Sequence, residues 1–187
     1  MIIKKTNFKG VFEINLEFHK DHRGFFMRTY DSQIFKNSGL SKEWVQENHS
    51  YSKKKGTIRG LHFQFPPHTE TKIIRVVRGK IFMVVVDLRK DSSSFGKWSS
   101  FILSEDNKKM LYISKGFAIG MCTLTDHCIL SYKMDEYYEP LSQGRIRWDD
   151  IDIGIKWPIS CPILCEKDFK AQSFKEFVQK YKWLDIQ

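Results

Sequence analysis

The sequence predicts an all-β protein built as a β-sandwich or a jelly-roll barrel. Three observations carry that reading. Apolar and polar residues alternate with period two through the middle of the chain. Turn signals separate these runs at short, regular intervals. Helical periodicity appears in only two short segments.

The first helical segment lies near Ser32–Gly39 and ends at Gly39. "KIIRVVRGKIFMVVVDLR", Lys72 to Arg89, reads as two strands joined by a turn at Arg78–Gly79–Lys80. "MLYISKG", "AIGMCTLTD" and "CILSYKMDEYY" read as further short strands. Turns fall at Ser92–Gly96, Lys115–Gly116 and Leu141–Gly144. The chain closes with "SFKEFVQKYKWL", Ser173 to Leu184, a helix with Ser173 as N-cap and Phe174, Phe177, Val178 and Tyr181 on one face. No composition shift marks a linker, so the 187 residues are expected to form one domain, 1–187.

Composition narrows the function. Apolar residues make up 41% and aromatics 14%, enough for a packed core and against disorder. The formal charge of +9 favours anionic partners. The basic runs at Lys53–Lys55 and Lys108–Lys109 are too short for a nucleic-acid tail, and the clustered basic–aromatic motifs of RNA- and DNA-binding modules are missing. Cys122, Cys128, Cys161 and Cys165 contain no C-x-x-C pair, which disfavours structural zinc; Cys122 and Cys128 read as core thiols. No stretch reads as a signal peptide or an apolar run near ~20 residues, so a cytoplasmic protein without membrane contact is expected.

The stretch "GTIRGLHFQFPPHTETKIIRVVRGK" places a single histidine, His62, in an apolar alternating run. Alternation sets Gly60, His62 and Gln64 on one face and Arg59, Leu61 and Phe63 on the other, unless the strand bulges. A face of Gly, His and Gln suits a cavity wall better than a core. A metal reading fails on ligand count: Gln64 stands where a second histidine would, Glu70 is one carboxylate, and "GFAIGM" offers Ile119 rather than a later histidine. A base needs an orienting partner and a nearby charge stabiliser. Asp168, Lys72 and Tyr132 have suitable chemistry, but spacing alone does not bring them together.

Seven separated motifs then agree in order and spacing with one family. "DHRGFFMRTY", "VQENHSYSKKKGTIRGLHFQ", "ETKIIRVVRGKIFMVVVDLRKDSSSFGKW", "SKGFAIGM", "SYKMDEYYEP", "IRWDDIDIGIKWPI" and "CEKD" resemble the dTDP-4-dehydrorhamnose 3,5-epimerase family from about Asp21 to Asp168. The resemblance implies a cupin-type jelly-roll barrel with short peripheral helices and a C-terminal helix, a homodimer, and an isomerase that needs neither metal nor other cofactor. The implied substrate is a nucleotide sugar, a nucleoside-diphosphate 4-keto-6-deoxy sugar. It puts the base on His62, its acidic partner on Asp168, the opposing acid on Tyr132 and the enolate-facing lysine on Lys72. Arg23 and Arg59 match arginines that contact the sugar nucleotide. Gln46 and Asn48 match pocket residues, and Phe26, Gln64, Tyr138 and Lys167 complete the expected substrate contacts.

Three positions depart from the family pattern. Ile119 replaces a pocket histidine, which predicts a changed substrate or a reaction limited mainly to C3. Arg28 replaces a glutamate, and His19 replaces a phenylalanine that stacks on the base. Arginine only donates hydrogen bonds, so it suits guanine O6 and N7 rather than thymine N3–H. The sequence therefore predicts a GDP-linked 4-keto-6-deoxy heptose, with the dTDP-linked hexose of rhamnose biosynthesis as the alternative. Retention of His62, Asp168, Tyr132 and Lys72 together argues against a non-catalytic sugar-nucleotide-binding cupin, and the ligand count against a metal-dependent cupin oxygenase.

Overall fold

A computed structural model describes residues 1–40 and 42–186. In it, short strands dominate: β1 (Ile2–Lys5), β2 (Val11–Asn15), β3 (Phe18–Asp21), β4 (Gly24–Met27), β5 (Gln46–Ser52), β6 (Ile58–Gln64), β7 (Lys72–Arg78), β8 (Lys80–Asp87), β9 (Trp98–Ser104), β10 (Lys109–Ile113), β11 (Phe117–Thr123), β12 (Cys128–Met134) and β13 (Gln143–Arg145). Three short helices accompany them: α1 (Ser32–Asn37), α2 (Glu166–Phe169) and α3 (Phe174–Tyr181). The strands form a six-stranded sheet, β1-β2-β10-β7-β12-β5, a five-stranded sheet, β13-β6-β11-β8-β9, and a separate hairpin of β3 and β4. Every paired strand is antiparallel. The fold is an all-β jelly roll, as the alternation predicts. Its two sheets do not close into a continuous barrel, because the hydrogen-bonded ladders stop at β1, β5, β13 and β9.

Burial explains which sequence runs became which strands. Between the sheets, Ile74, Val76, Leu111, Ile113 and Leu130 from one meet Ile81, Met83, Val85, Leu103 and Phe117 from the other. The opposite face of β8 is buried too: Val84 and Val86 pack with Leu61, Phe63, Ala118, Ile146, Phe177 and Leu184. A strand covered on both faces reads as a continuous apolar run, which is why "IFMVVV" shows little alternation. The covering layer is α3. Its N-cap Ser173 accepts from the Glu176 N–H while the Glu176 side chain returns to the Ser173 N–H, two otherwise orphaned donors satisfied at once. Phe174, Phe177, Val178 and Tyr181 then face the sheet, as the spacing predicts. On the outer face of the six-stranded sheet, α1 contributes Phe35 to a third cluster with Ile14, Ile73, Met110 and Tyr112. Asp31 caps α1 by accepting from the Gln33 and Ile34 N–H groups.

β6 departs from simple alternation. His62 pairs with Ile119 and Arg59 pairs with Met121, so three steps on β6 match two on β11. The extra residue makes a β-bulge, which reverses side-chain parity along the strand. Arg59 therefore leaves the face that alternation assigned to it and joins the His62 side. Gly60 sits in the bulge at φ +124°, and a Cβ there would lie 2.5 Å from the Gly120 Cα and 2.6 Å from the Ile119 oxygen. Only glycine meets both conditions. Among the described residues, no helix is long and apolar enough to cross a membrane.

Candidate active site

The segment after residue 160 is stitched along β6. Ile58 N–H donates to the Ile163 oxygen, Ile163 N–H donates to the Gly56 oxygen, and Ile146 bridges to Gln172. This threading sets α2 beneath β6 and brings Asp168 to His62 across 106 residues of chain. The Asp168 carboxylate lies 2.6 Å from His62 Nε2 and accepts from the Gly60 N–H at 3.2 Å. Arg145, the residue opposite His62 in the β13–β6 ladder, brings its Nε to 3.4 Å of Asp168 Oδ1. Burial would raise the Asp168 carboxyl, but the hydrogen bond and charge of His62, the Gly60 N–H and the Cys165 side chain outweigh it. Together they hold that carboxyl below its ordinary value. An ionised carboxylate only accepts, so the imidazole proton belongs on Nε2 and the Nδ1 lone pair is free.

His62 opens onto a cavity of two lobes. One, of about 310 Å³, is lined by Gln46, Asn48, Gln64, Glu70, Tyr138 and Gln143 among others. The other, of about 280 Å³, is lined by Arg59, Ile74, Met83, Ile119 and Leu130 among others. His62, Lys72 and Tyr132 line both lobes and so mark their junction. Lys72 begins β7 and Tyr132 lies in β12, both in the six-stranded sheet; His62 lies in the five-stranded one. The imidazole and the phenol hydroxyl thus come from opposite walls. Lys72 Nζ donates to Glu70 Oε1 at 2.8 Å; the lysine side chain is 14% exposed and the glutamate side chain 6%.

Eight of the residues singled out in the sequence line this cavity besides Lys72, and Asp168 stands behind His62: they are His62, Tyr132, Gln46, Asn48, Arg59, Gln64, Ile119 and Tyr138. Gln64 is there in a structural capacity. Its amide donates to the His68 and Tyr137 oxygens and accepts from the Glu139 N–H, which ties down the loop carrying Tyr138. Four expected contacts lie elsewhere. Arg23 and Phe26 stand on the exposed β3–β4 hairpin, where Arg23 pairs with Asp21. Arg28 is exposed and its guanidinium binds the Asp31 cap at 2.6 Å. Lys167 points outward from α2, next to the buried Asp168. Gln143 and Arg145 are absent from the sequence expectations, and Glu70 enters them only as a carboxylate too few for a metal site. Glu70 carried a readable signal, since it stands two residues before Lys72; Gln143 and Arg145 depend on the β13–β6 pairing, which no local pattern announces.

The model of the dTDP-4-dehydrorhamnose 3,5-epimerase family matches residues 5–176. A curated protein of that name from Shigella flexneri is 41% identical over 175 residues, covering 93% of this chain and 96% of its own. The crystal structure of the Bacillus anthracis str. Ames protein of that name, with TDP and PPi bound, is similar at a TM-score of 0.90 and 43% identity, over 92% of this chain and 99% of that one. A third relative is the Legionella pneumophila Philadelphia 1 dTDP-6-deoxy-D-glucose-3,5-epimerase in complex with dTDP-4-keto-L-rhamnose. It aligns at a TM-score of 0.92 and 33% identity, over 100% of this chain and 98% of its own.

Proposed function

Because the chain belongs to the dTDP-4-dehydrorhamnose 3,5-epimerase family, we propose that this isomerase inverts C3 and C5 of a dTDP-linked 4-keto-6-deoxyhexose through an enolate. The observation that carries the reading is the His62–Asp168 pair on one wall facing Lys72 and Tyr132 on the other. A C4 ketone acidifies the hydrogens on C3 and C5. His62 Nδ1 takes one of them, and the C–H electron pair moves onto the C4 oxygen. Lys72 has three N–H donors and gives one to Glu70, which leaves two for the developing oxyanion. Such stabilisers contribute roughly 3–4 kcal/mol to barrier lowering. The enolate collapses and takes a proton on the opposite face from the Tyr132 hydroxyl; His62 then releases its extra proton to solvent and the tyrosinate takes one back, which restores both groups. Positioned acid–base transfer adds about 10²–10⁴-fold.

The guanine reading of Arg28 gives way to the thymidine-linked alternative. The relatives' names and ligands are thymidine-linked, and the Arg28 fork is engaged by Asp31. Incubation with dTDP-4-keto-6-deoxyglucose in D₂O should place deuterium at C3 and C5 and yield the inverted sugar. No exchange with this substrate, or calorimetric binding of GDP tighter than dTDP, would overturn the reading. Exchange at C3 alone would make Ile119 the limiting residue.

The homodimer belongs to the same reading. Arg23 and Phe26 stand on a hairpin that lines a separate groove, and Phe18, Phe25 and Phe26 are exposed on it. A second copy that lends its hairpin would bring an arginine and an aromatic ring to the nucleotide. Mixing His62→Ala and Arg23→Ala chains should then restore activity through one intact site per hybrid dimer; two inactive parents that stay inactive when mixed would sink the idea.

A further inference from the structure

Glu70 is occupied on one side only. It stands two residues before Lys72, the first residue of β7, and the two side chains meet at the same lobe. Its side chain is 6% exposed and lines the larger lobe. Oε1 accepts from Lys72 Nζ at 2.8 Å, while Oε2 is buried with no hydrogen-bond partner. Among the described residues it is the one buried carboxylate oxygen in that condition. A dry, unpartnered carboxylate oxygen is costly, and native structures keep few of them without a use.

The neighbouring amides in the lobe are already engaged. Gln46 donates to the Asn48 oxygen and accepts from the Tyr138 N–H, and Asn48 donates to the Met134 sulfur. Gln64 has three backbone partners. The lobe is therefore bordered by an unpartnered buried acceptor, Glu70 Oε2, and by Lys72 Nζ, which has N–H groups to spare beyond the one given to Oε1. That pattern complements a carbonyl with a hydroxyl on the adjacent carbon. On a 4-keto-6-deoxy sugar only C3 carries such a hydroxyl, because C5 bears the ring oxygen and the methyl group.

We propose that Glu70 accepts a hydrogen bond from the C3 hydroxyl while Lys72 holds the C4 oxygen, and so selects 4-keto sugars with a free hydroxyl beside the ketone. The inference rests on Lys72 facing the C4 oxygen. It makes Glu70 a specificity residue rather than an accessory to the lysine.

The test follows deuterium wash-in at C5, with kcat and KM measured separately, on dTDP-4-keto-6-deoxyglucose and on its 2-deoxy and 3-deoxy analogues. The wild-type protein should lose roughly 10–100-fold in kcat/KM on the 3-deoxy sugar, the usual worth of one hydrogen bond to a charged group. It should lose much less on the 2-deoxy sugar. Glu70→Gln keeps an oxygen for Lys72 and puts an N–H₂ donor where Oε2 stood. In that variant the parent substrate should fall to the level of the 3-deoxy analogue, with little further loss on the analogue itself. Equal handling of the 2-deoxy and 3-deoxy sugars by the wild type overturns the contact without recourse to any variant. So does a Glu70→Gln protein that discriminates as strongly as the wild type. Absence of exchange by the wild type on all three sugars instead overturns the epimerase reading, and this contact with it.

Discussion

His62 works as a base only if one ring nitrogen keeps its lone pair, and Asp168 decides which one. The carboxylate accepts the Nε2–H hydrogen bond at 2.6 Å and leaves Nδ1 open, so His62→Ala should abolish deuterium exchange at both C3 and C5 in a protein that still shows a cooperative thermal transition. Persistence of exchange near the wild-type rate would remove His62 from the role. Asp168→Asn should cost about 10²–10⁴-fold in kcat, since an amide can hold the wrong tautomer. It should also leave a pH signature in stability. Burial opposes ionisation of Asp168, yet its partners hold the carboxyl below the ordinary value, roughly 3.9 in an unfolded chain. A depressed carboxyl contributes stability in full above the unfolded value and loses it as pH falls through the folded one. In urea titrations the gap between wild type and Asp168→Asn should be present above the unfolded carboxyl's value and narrow below about pH 4; a gap that widens in acid contradicts the assignment.

At the scale of elements, what the sequence made legible was what is local. Strand runs, the 78–80 turn and both amphipathic helices follow from period and caps carried within a few residues. α2 was invisible because four residues hold no period, and its position depends on backbone bonds between Ile163 and the start of β6. The bulge in β6 is equally non-local: it is a mismatch between β6 and β11, and neither strand alone encodes it. Its one local mark is Gly60. That is why alternation put Arg59 on the wrong face while resemblance put it at the substrate. Gly60→Ala should therefore destabilise the protein by more than about 2 kcal/mol, through strain at positive φ and displacement of β11 backbone. Gly24→Ala provides the contrast. Its φ is +134° but nothing lies within 4 Å of the added Cβ, so only the strain remains. Denaturation midpoints that rank the two variants in reverse would refute the packing argument.

At the scale of the whole molecule, the charge of +9 acts beyond any single contact. A basic protein gathers a diphosphate-bearing ligand from solution, and salt screens that attraction over about 10 Å at 0.1 M. If encounter limits turnover of dilute substrate, kcat/KM should fall roughly 3–10-fold between 10 and 200 mM salt while kcat stays level. A kcat/KM that ignores salt would confine the lysines to solubility. The cavity itself has another property at this scale. Ile74, Met83 and Leu130 belong to the inter-sheet core and also line the smaller lobe, so the sandwich filling doubles as the floor of the reaction vessel. Stacked sheets stand about 10 Å apart because of what fills them. On the proposed mechanism, the thickness of that filling is then a caliper for a ring between His62 on one jaw and Tyr132 on the other. On that mechanism a methylene trimmed at Met83 should alter the reach of both proton transfers without touching either group, which ties the tuning of the site to the grease beneath it.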